Sequence, residues 1–287
     1  MKVSGFTFIR NGIKLDYPFL ESIRSVLPMC DEMIVAVGDC DDGTRESITN
    51  LNDPKIRIID TVWDESMREG GRILAEQTNI ALDHITGDWG FYIQGDEVLH
   101  EKYLSACRNA MIRYKDDARV QGLLFKYVHF YGSYEYVADS PKWYSHEVRI
   151  IRNDKRIRSY KDAQGFRIGD KKLRVKSIDA SIYHYGWVRD PRAQQLKSKM
   201  VSRYWHDDEW MNANIVEASE YDYSLVESLR KFTGTHPIVM QDRIARKNWE
   251  YNYDPSKKVL TLKHRLKMWV ERLTGYRIGE HKNYKVT

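Results

Sequence analysis

Four short runs of β-branched, aromatic and aliphatic residues, at 2–9, 33–37, 55–60 and 89–93, constrain this chain more than any other feature, because each stops at a turn-forming or acidic cluster. Between them the apolar residues fall at helical spacing. Pro18 opens a helix carrying Phe19, Leu20, Ile23, Val26 and Leu27 on one face before Pro28 ends it, and a second helix is expected around 45–51. A longer one is expected over 71–84, with Ile73, Leu74, Thr78, Ala81 and Leu82 in phase. Strand alternating with helix is the pattern of βαβ units, and it predicts an α/β fold whose mostly parallel central sheet is covered on both faces. The turn Arg10-Asn11-Gly12 after the first strand supplies a residue able to take positive φ.

The fourth run ends in Gln94-Gly95-Asp96-Glu97. Carboxylates at the carboxyl end of a strand in an open α/β sheet lie in the crevice where such folds bind ligands, a place suited to a metal and a phosphate. Beyond it the pattern predicts a helix over 100–114 and a strand over 120–130. The aromatic, irregular stretch 131–144 reads either as a surface loop packed by its own rings or as a lid or acceptor platform. Residues 147–151 and 156–159 read as a hairpin turned by Asn153-Asp154, and 180–185 as one more strand. From Pro191 onward the chain reads as mainly helical, with no internal repeat or flexible linker.

Composition describes a folded, water-soluble chain: of 287 residues, 42% are hydrophobic and 30% charged, and no apolar run approaches the length needed to span a bilayer. The start lacks the apolar core and cleavage site of a signal peptide. Cys30, Cys40 and Cys107 are widely spaced and form no Cys-x-x-Cys pair, which fits a reducing, cytoplasmic setting. The net charge of +5 is uneven. Residues 256–287 hold nine Lys or Arg against Glu271 and Glu280, so the tail carries +7 and the rest of the chain −2. In that tail Leu262, Leu266, Trp269, Val270 and Leu273 form one apolar stripe, with Lys263, Arg265, Lys267 and Arg272 beside it. The stripe is expected to dock on the protein's own core; the alternative is a basic amphipathic helix lying on the inner face of an anionic membrane.

The order of strand, helix, strand into Gly38-Asp-Cys-Asp-Asp-Gly-Thr44, strand, Asn79-x-Ala81-Leu82, Gly87-Asp-Trp89 and Phe91-Tyr-Ile-Gln-Gly-Asp-Glu97 resembles the family 2-like glycosyltransferases of the GT-A fold. The resemblance covers roughly the first hundred residues and weakens after them. It implies a nucleotide-sugar donor, expected to be a UDP-sugar, a hydroxyl acceptor on a glycan or lipid-linked glycan, and transfer with inversion in polysaccharide synthesis. It divides the chain into a glycosyltransferase domain over 1–190, with a nucleotide-sugar half to residue 100 and an acceptor half after it, and a helical extension over 191–287.

The same resemblance assigns site residues. Asp39, with Asp41 as its rival, matches the aspartate that contacts the nucleotide base, and Phe8, Arg10 and Asn11 match the nucleotide-facing exit of the first strand. The family's Asp-x-Asp reads Gln94-Gly95-Asp96 here, so Gln94 falls on the ribose side, while Asp96, supported by Glu97 and His184, is expected to hold Mn²⁺ or Mg²⁺. Replacement of the first acid by Gln94 puts metal dependence in doubt more than donor binding. An inverting transfer needs a base for the acceptor hydroxyl; Asp162 is the first choice and Glu147 the second. Arg189 and Arg192 are available to pair with diphosphate oxygens where the metal is weak. Three other readings compete: a catalytically silent nucleotide- or glycan-binding module, a polyanion binder acting through the basic tail, and a nucleotidyltransferase. No recognition module supports nucleic acid as a partner, and the Gly-rich phosphate loop of a nucleotidyltransferase is absent after the first strand.

Overall fold

The computed structural model of the chain describes residues 1–215, 218–256 and 258–287. Its first half alternates as expected: β1 (Val3–Ile9), α1 (Phe19–Val26), β2 (Glu32–Gly38), α2 (Thr44–Thr49), β3 (Ile56–Thr61), α3 (Arg72–Asp83) and β4 (Trp89–Tyr92). Then come β5 (Glu97–Leu99), α4 (Leu104–Arg113), β6 (Gly122–Tyr131), β7 (Ser133–Ala138), β8 (His146–Arg152), β9 (Ile157–Tyr160), β10 (Gly165–Ile168) and β11 (Lys171–Trp187). The last third holds α5 (Pro191–Ser202), α6 (Asp208–Asn214), β12 (Leu229–Lys231), α7 (Gln241–Ala245), α8 (Leu262–Thr274) and β13 (Tyr284–Val286).

One mixed sheet in the order β3-β2-β1-β4-β8-β6-β11-β10-β9 runs through the molecule, flanked by helices. Parallel pairing holds across β3, β2, β1 and β4, and again between β6 and β11; β8 enters antiparallel between β4 and β6. The parallel strands are apolar on both faces because both are covered. Along β2, Met33, Val35 and Val37 face a core shared with Phe19, Ile23 and Val26 of α1, whereas Ile34 and Ala36 face Ala81 and Leu82 of α3. Phe6 of β1, fully buried, lies on the α3 side beside Tyr92. Truncating it to Ala would cost about 3–5 kcal/mol by opening a cavity in that layer.

Three local expectations change. The 131–144 stretch is not wholly irregular, because 133–138 form β7, which pairs with β6 and with β12. Gly132 turns the chain between them at φ 70°, and a Cβ there would meet the Tyr251 ring at 2.5 Å. Residues 147–151 and 156–159 do not make a hairpin: β8 is taken by β4 and β6, and β9 pairs with β10. Asn153 is held instead by the 87–88 turn, donating from its side chain to the Gly87 carbonyl at 2.9 Å. The strand expected at 180–185 extends over seventeen residues as β11, long enough to serve β6, β5, β10 and β13 along its length. In the first turn Asn11, not Gly12, takes the left-handed conformation, at φ 55°. Gly12 is required for space, since a Cβ would sit 2.8 Å from the Phe19 ring.

Candidate active site

A cleft of about 560 Å³ opens at the carboxyl ends of β1 and β4. Its floor is formed by Phe8, Ile9 and Arg10 from β1 and its exit, and by Gln94, Gly95 and Asp96 from the turn after β4. One wall is aromatic: Trp63 packs against Phe8 at 5.9 Å and against Tyr204 at 5.2 Å between ring centres, with the Arg10 guanidinium over Trp63 at 5.5 Å. Trp143, Tyr144 and Trp187 line it as well. α5 closes the cleft with Gln194, Lys197, Ser198, Val201 and Ser202, which recur at three- and four-residue spacing along one helical face.

The strand β5 begins between the two acids. It pairs antiparallel with β11, placing Glu97 opposite His184 in register, and the Tyr185 N–H donates to the Asp96 carbonyl at 2.8 Å. Asp96, in the turn before β5, lines the cleft, and Glu97, the first residue of β5, goes underneath. There Glu97, fully buried, accepts two bonds from Arg149 at 2.8 and 2.7 Å, one from the Tyr127 hydroxyl at 2.5 Å and one from the Gln94 N–H at 3.1 Å. Arg149 is itself held between the Tyr92 and Tyr127 rings. Glu97 is thus an internal ion pair and not a metal ligand, a correction whose cause is the Arg149 guanidinium and Tyr127 hydroxyl that meet it in the core.

Asp96 has cationic neighbours. Lys197 Nζ lies 3.2 Å from its Oδ2 and also donates to the Gly186 carbonyl at 2.8 Å. Burial by itself would raise the Asp96 carboxyl, but the nearby Lys197 and Arg189 charges outweigh it and hold it down to about 2. Burial also pushes the Lys197 ammonium down to about 8, with Arg189 adding to the effect. His184 turns Nε2 toward Asp96 at 3.7 Å, and its Nδ1 meets Nδ1 of His129 at 3.0 Å. His129 in turn donates through Nε2 to the Tyr144 carbonyl at 2.8 Å. Burial lowers both imidazoles, so both are neutral at neutral pH. Gly186 must be glycine here, because a Cβ would fall 2.5 Å from His184 Nε2 and 2.7 Å from Asp96 Oδ2.

The donor set does not fit a divalent metal held by the protein. Asp96 and His184 are the two candidate ligands, Glu97 is committed to Arg149, and the described residues contain no group of three His, Cys, Asp or Glu side chains able to hold an ion. Hard cations bind through carboxylates that they neutralise. Here Asp96 already faces Lys197, with Arg189 next to it, so a divalent ion at this carboxylate would meet a charge that is already balanced.

Other expected residues are distributed as follows. Gln94 lines the cleft, and its amide donates to the Tyr92 hydroxyl at 3.2 Å and to the Ala163 carbonyl at 3.3 Å, tying the β4 exit to the turn that carries Asp162. Asp162 also lines the cleft, in a turn where Lys161 and Ala163 both have positive φ, 54° and 61°. Burial raises its carboxyl. Gly71 underlies that turn at φ 72°, where a Cβ would meet Asp162 Cβ at 2.8 Å. Glu147, on β8, is buried and does not line the cleft. Neither Asp39 nor Asp41 lines the cleft: both are exposed, and the Asp39 carboxylate lies 3.4 Å from Arg10 and accepts from the Trp63 N–H at 3.3 Å. Asn11 borders a smaller neighbouring cavity, not the cleft. Arg189 is fully buried below the cleft, donating to the Leu15 and Gly186 carbonyls. Arg192 is exposed and paired with Glu220 at 3.2 Å, away from the cleft. Sequence reasoning missed Trp63, Tyr204 and Lys197; the helical spacing of Gln194, Lys197, Ser198 and Val201 was the available signal for the last.

No protein-family model matches this chain, and no curated protein matches it. Among solved structures, S. aureus TarS residues 1–349 with UDP-GlcNAc aligns at 12% identity and a TM-score of 0.41, covering 76% of this chain and 68% of that one. A longer TarS structure aligns at 12% identity and a TM-score of 0.39, covering 70% of this chain, which spans 39% of the TarS length. A mycobacterial protein aligns at 15% identity and a TM-score of 0.30, over 46% of this chain and 42% of that one. Similarity this low transfers neither activity nor site residues.

Proposed function

We propose that the chain is a glycosyltransferase that moves a sugar from a nucleotide-sugar donor to a hydroxyl acceptor with inversion. The observation that carries this reading is the cleft itself. It lies at the carboxyl ends of parallel strands, where open α/β sheets bind ligands, and its volume suits a nucleotide-sized molecule. The aromatic Phe8, Trp63 and Tyr204 wall suits a base, and the polar end at Asp96 and Lys197 suits a diphosphate. Trp143, Tyr144 and Trp187 offer the apolar ring faces on which sugars pack, so this side is assigned to the acceptor. Gln194 adds a buried side-chain oxygen with no partner at the cleft wall, suited to a donor-sugar hydroxyl.

In this reading Asp162 takes the acceptor hydroxyl's proton as that oxygen bonds to the anomeric carbon. The bond from the anomeric carbon to the diphosphate oxygen breaks on the opposite face, and the nucleoside diphosphate leaves with the electron pair. UDP is the nucleotide expected from the sequence resemblance, and TarS, a structural neighbour of low similarity, has been solved with UDP and UDP-GlcNAc. The test is nucleoside diphosphate release from a panel of UDP-, GDP-, CDP- and ADP-sugars with mixed hydroxyl acceptors. Release that requires both donor and acceptor and is lost in Asp162→Asn supports transfer. The engagement of the Gln94 amide with Tyr92 and Ala163 favours one second reading, a silent binding module, which would bind a nucleoside diphosphate yet release none from any donor.

A further inference from the structure

Resting on the glycosyltransferase reading, we infer that Lys197 supplies the positive charge at the donor diphosphate, doing from α5 what a divalent ion would otherwise do. Three observations converge on it. Lys197 is the cleft-lining cation beside Asp96, at 3.2 Å, and the Gly186 carbonyl fixes its head at 2.8 Å. Its ammonium also lies 4.9 Å from the Tyr17 ring centre, on the same ring that Arg189 covers at 5.0 Å. Arg189 cannot reach the ligand itself, because it is fully buried and bonded to the Leu15 and Gly186 carbonyls. It does add a fixed positive charge behind the lysine. Asp96 then acts as a positioning residue that aims Lys197, and its remaining oxygen is free for the donor sugar. An ammonium and a guanidinium in a water-poor cleft stabilise the charge that grows on the leaving diphosphate without any reorganisation.

The experiment is calorimetric titration of UDP, GDP, CDP and ADP, and of the matching nucleosides, in excess chelator and then with manganese. Wild type is expected to bind one diphosphate in chelator at least about tenfold more tightly than its nucleoside, with little gain from manganese. Lys197→Met is expected to lose that preference, and Lys197→Arg to keep most of it. A wild-type protein that shows no diphosphate preference until manganese is added overturns the inference and leaves the glycosyltransferase reading standing, whether or not the methionine variant folds. Unchanged binding by a folded Lys197→Met overturns it too. Absence of binding to any nucleotide under either condition overturns both.

A separate surface carries a second proposal. The helix α8 is mounted with its polar side inward: His264 pairs with Glu227 at 3.2 Å, and Arg277, just past the helix, pairs with Glu271 at 3.1 Å. Most of its apolar stripe faces out, with Leu262, Leu266, Trp269 and Leu273 between 60% and 83% exposed and Tyr276 continuing the line, while Val270 is half-buried. This reverses the expectation that the stripe docks on the protein's own core. Lys263, Arg265 and Arg272 are exposed alongside it. An apolar ridge with a Trp and cations on its flanks matches an anionic lipid surface in both shape and charge, and we propose that α8 rests on one.

Flotation with vesicles of phosphatidylcholine containing about one third phosphatidylglycerol tests this. Wild type is expected to float with these vesicles and not with pure phosphatidylcholine, its Trp fluorescence shifting blue. Leu266→Gln with Trp269→Gln is expected to cut the bound fraction about tenfold without altering the melting temperature. No flotation of wild type overturns the proposal. So does a wild-type dimer in light scattering that the double substitution converts to monomer, since the ridge would then be covered by a second copy.

Discussion

Replacing Glu147 by Gln isolates one of the few charges this fold buries without a partner. Glu147 is 3% exposed on β8, and its Oε2 has no hydrogen-bond partner. Arg149, two residues on, is spent on Glu97. Burial raises the Glu147 carboxyl from the ordinary 4.5 to about 8; Arg149 opposes this, while Glu97 and Asp162 add to it. The folded state therefore binds a proton that the unfolded chain has released between those two pH values. Stability is full below about pH 4.5 and falls by about 1.4 kcal/mol per unit as pH rises toward 8. Integrated over the interval, the loss reaches about 5 kcal/mol. Gln keeps the shape of the protonated acid and cannot ionise. The Glu147→Gln protein should nearly match wild type at about pH 4.5 and exceed it by about 5 kcal/mol at about pH 8.5, roughly 10 °C in melting temperature for a chain this long. Urea denaturation at both pH values, with thermal melts in parallel, measures the difference. A gap that is the same at both pH values, or a variant weaker than wild type at pH 8.5, would refute the claim that Glu147 is a neutral internal acid.

Removing either partner of the Glu97–Arg149 pair, by Glu97→Gln or Arg149→Met, should cost about 3–5 kcal/mol in urea denaturation, and the double variant should cost less than either alone. Trp63→Ala should weaken nucleoside diphosphate binding by about 1–3 kcal/mol, read by calorimetry, if its ring stacks on the base. Asp162→Asn should lower kcat by about 10²–10⁴ while leaving diphosphate affinity within about twofold, the split expected of a base acting on the acceptor. Asp96→Asn should lower turnover by about a hundredfold, and added manganese should not restore it, because the lost function is the aiming of Lys197.

The parts of the fold that were legible are those whose local period matches their burial. β1, β2 and β4 read as strands because they are apolar on both faces, and α1 and α3 because one stripe of each meets that sheet. The hairpin expected around Asn153-Asp154 failed because turn chemistry says where a chain reverses and not which strand it joins; β8 gains more by filling the gap between β4 and β6. The same limit hid β7. Its partners β6 and β12 lie on either side of it in the sheet, and the pairing with β12 joins residues about ninety positions apart, which no local window contains.

At the site the difficulty was of another kind. Asp96 and Glu97 are neighbours in sequence and chemically alike, and what separates them is contributed by distant residues: Arg149 and Tyr127 hold Glu97 in the core, and Lys197 meets Asp96 at the cleft. Among the cations, Arg189 and Arg192 stand beside a helix start and looked available, yet one is consumed by backbone carbonyls and the other by Glu220. Lys197 stood in a helix that reads as ordinary and solvated, because the strip it belongs to is polar. A helix whose polar face is turned inward, toward a cleft, has the same sequence signature as one whose polar face is turned to water. α8 shows the converse, with its apolar face turned outward. In both helices the side-chain spacing was readable, and the direction of the face depended on what the neighbouring strands had left uncovered. α5 spends polar residues on a cleft wall, and α8 spends apolar ones on the surface. Neither arrangement stabilises the folded monomer by burial, so each points to a ligand or surface that completes it.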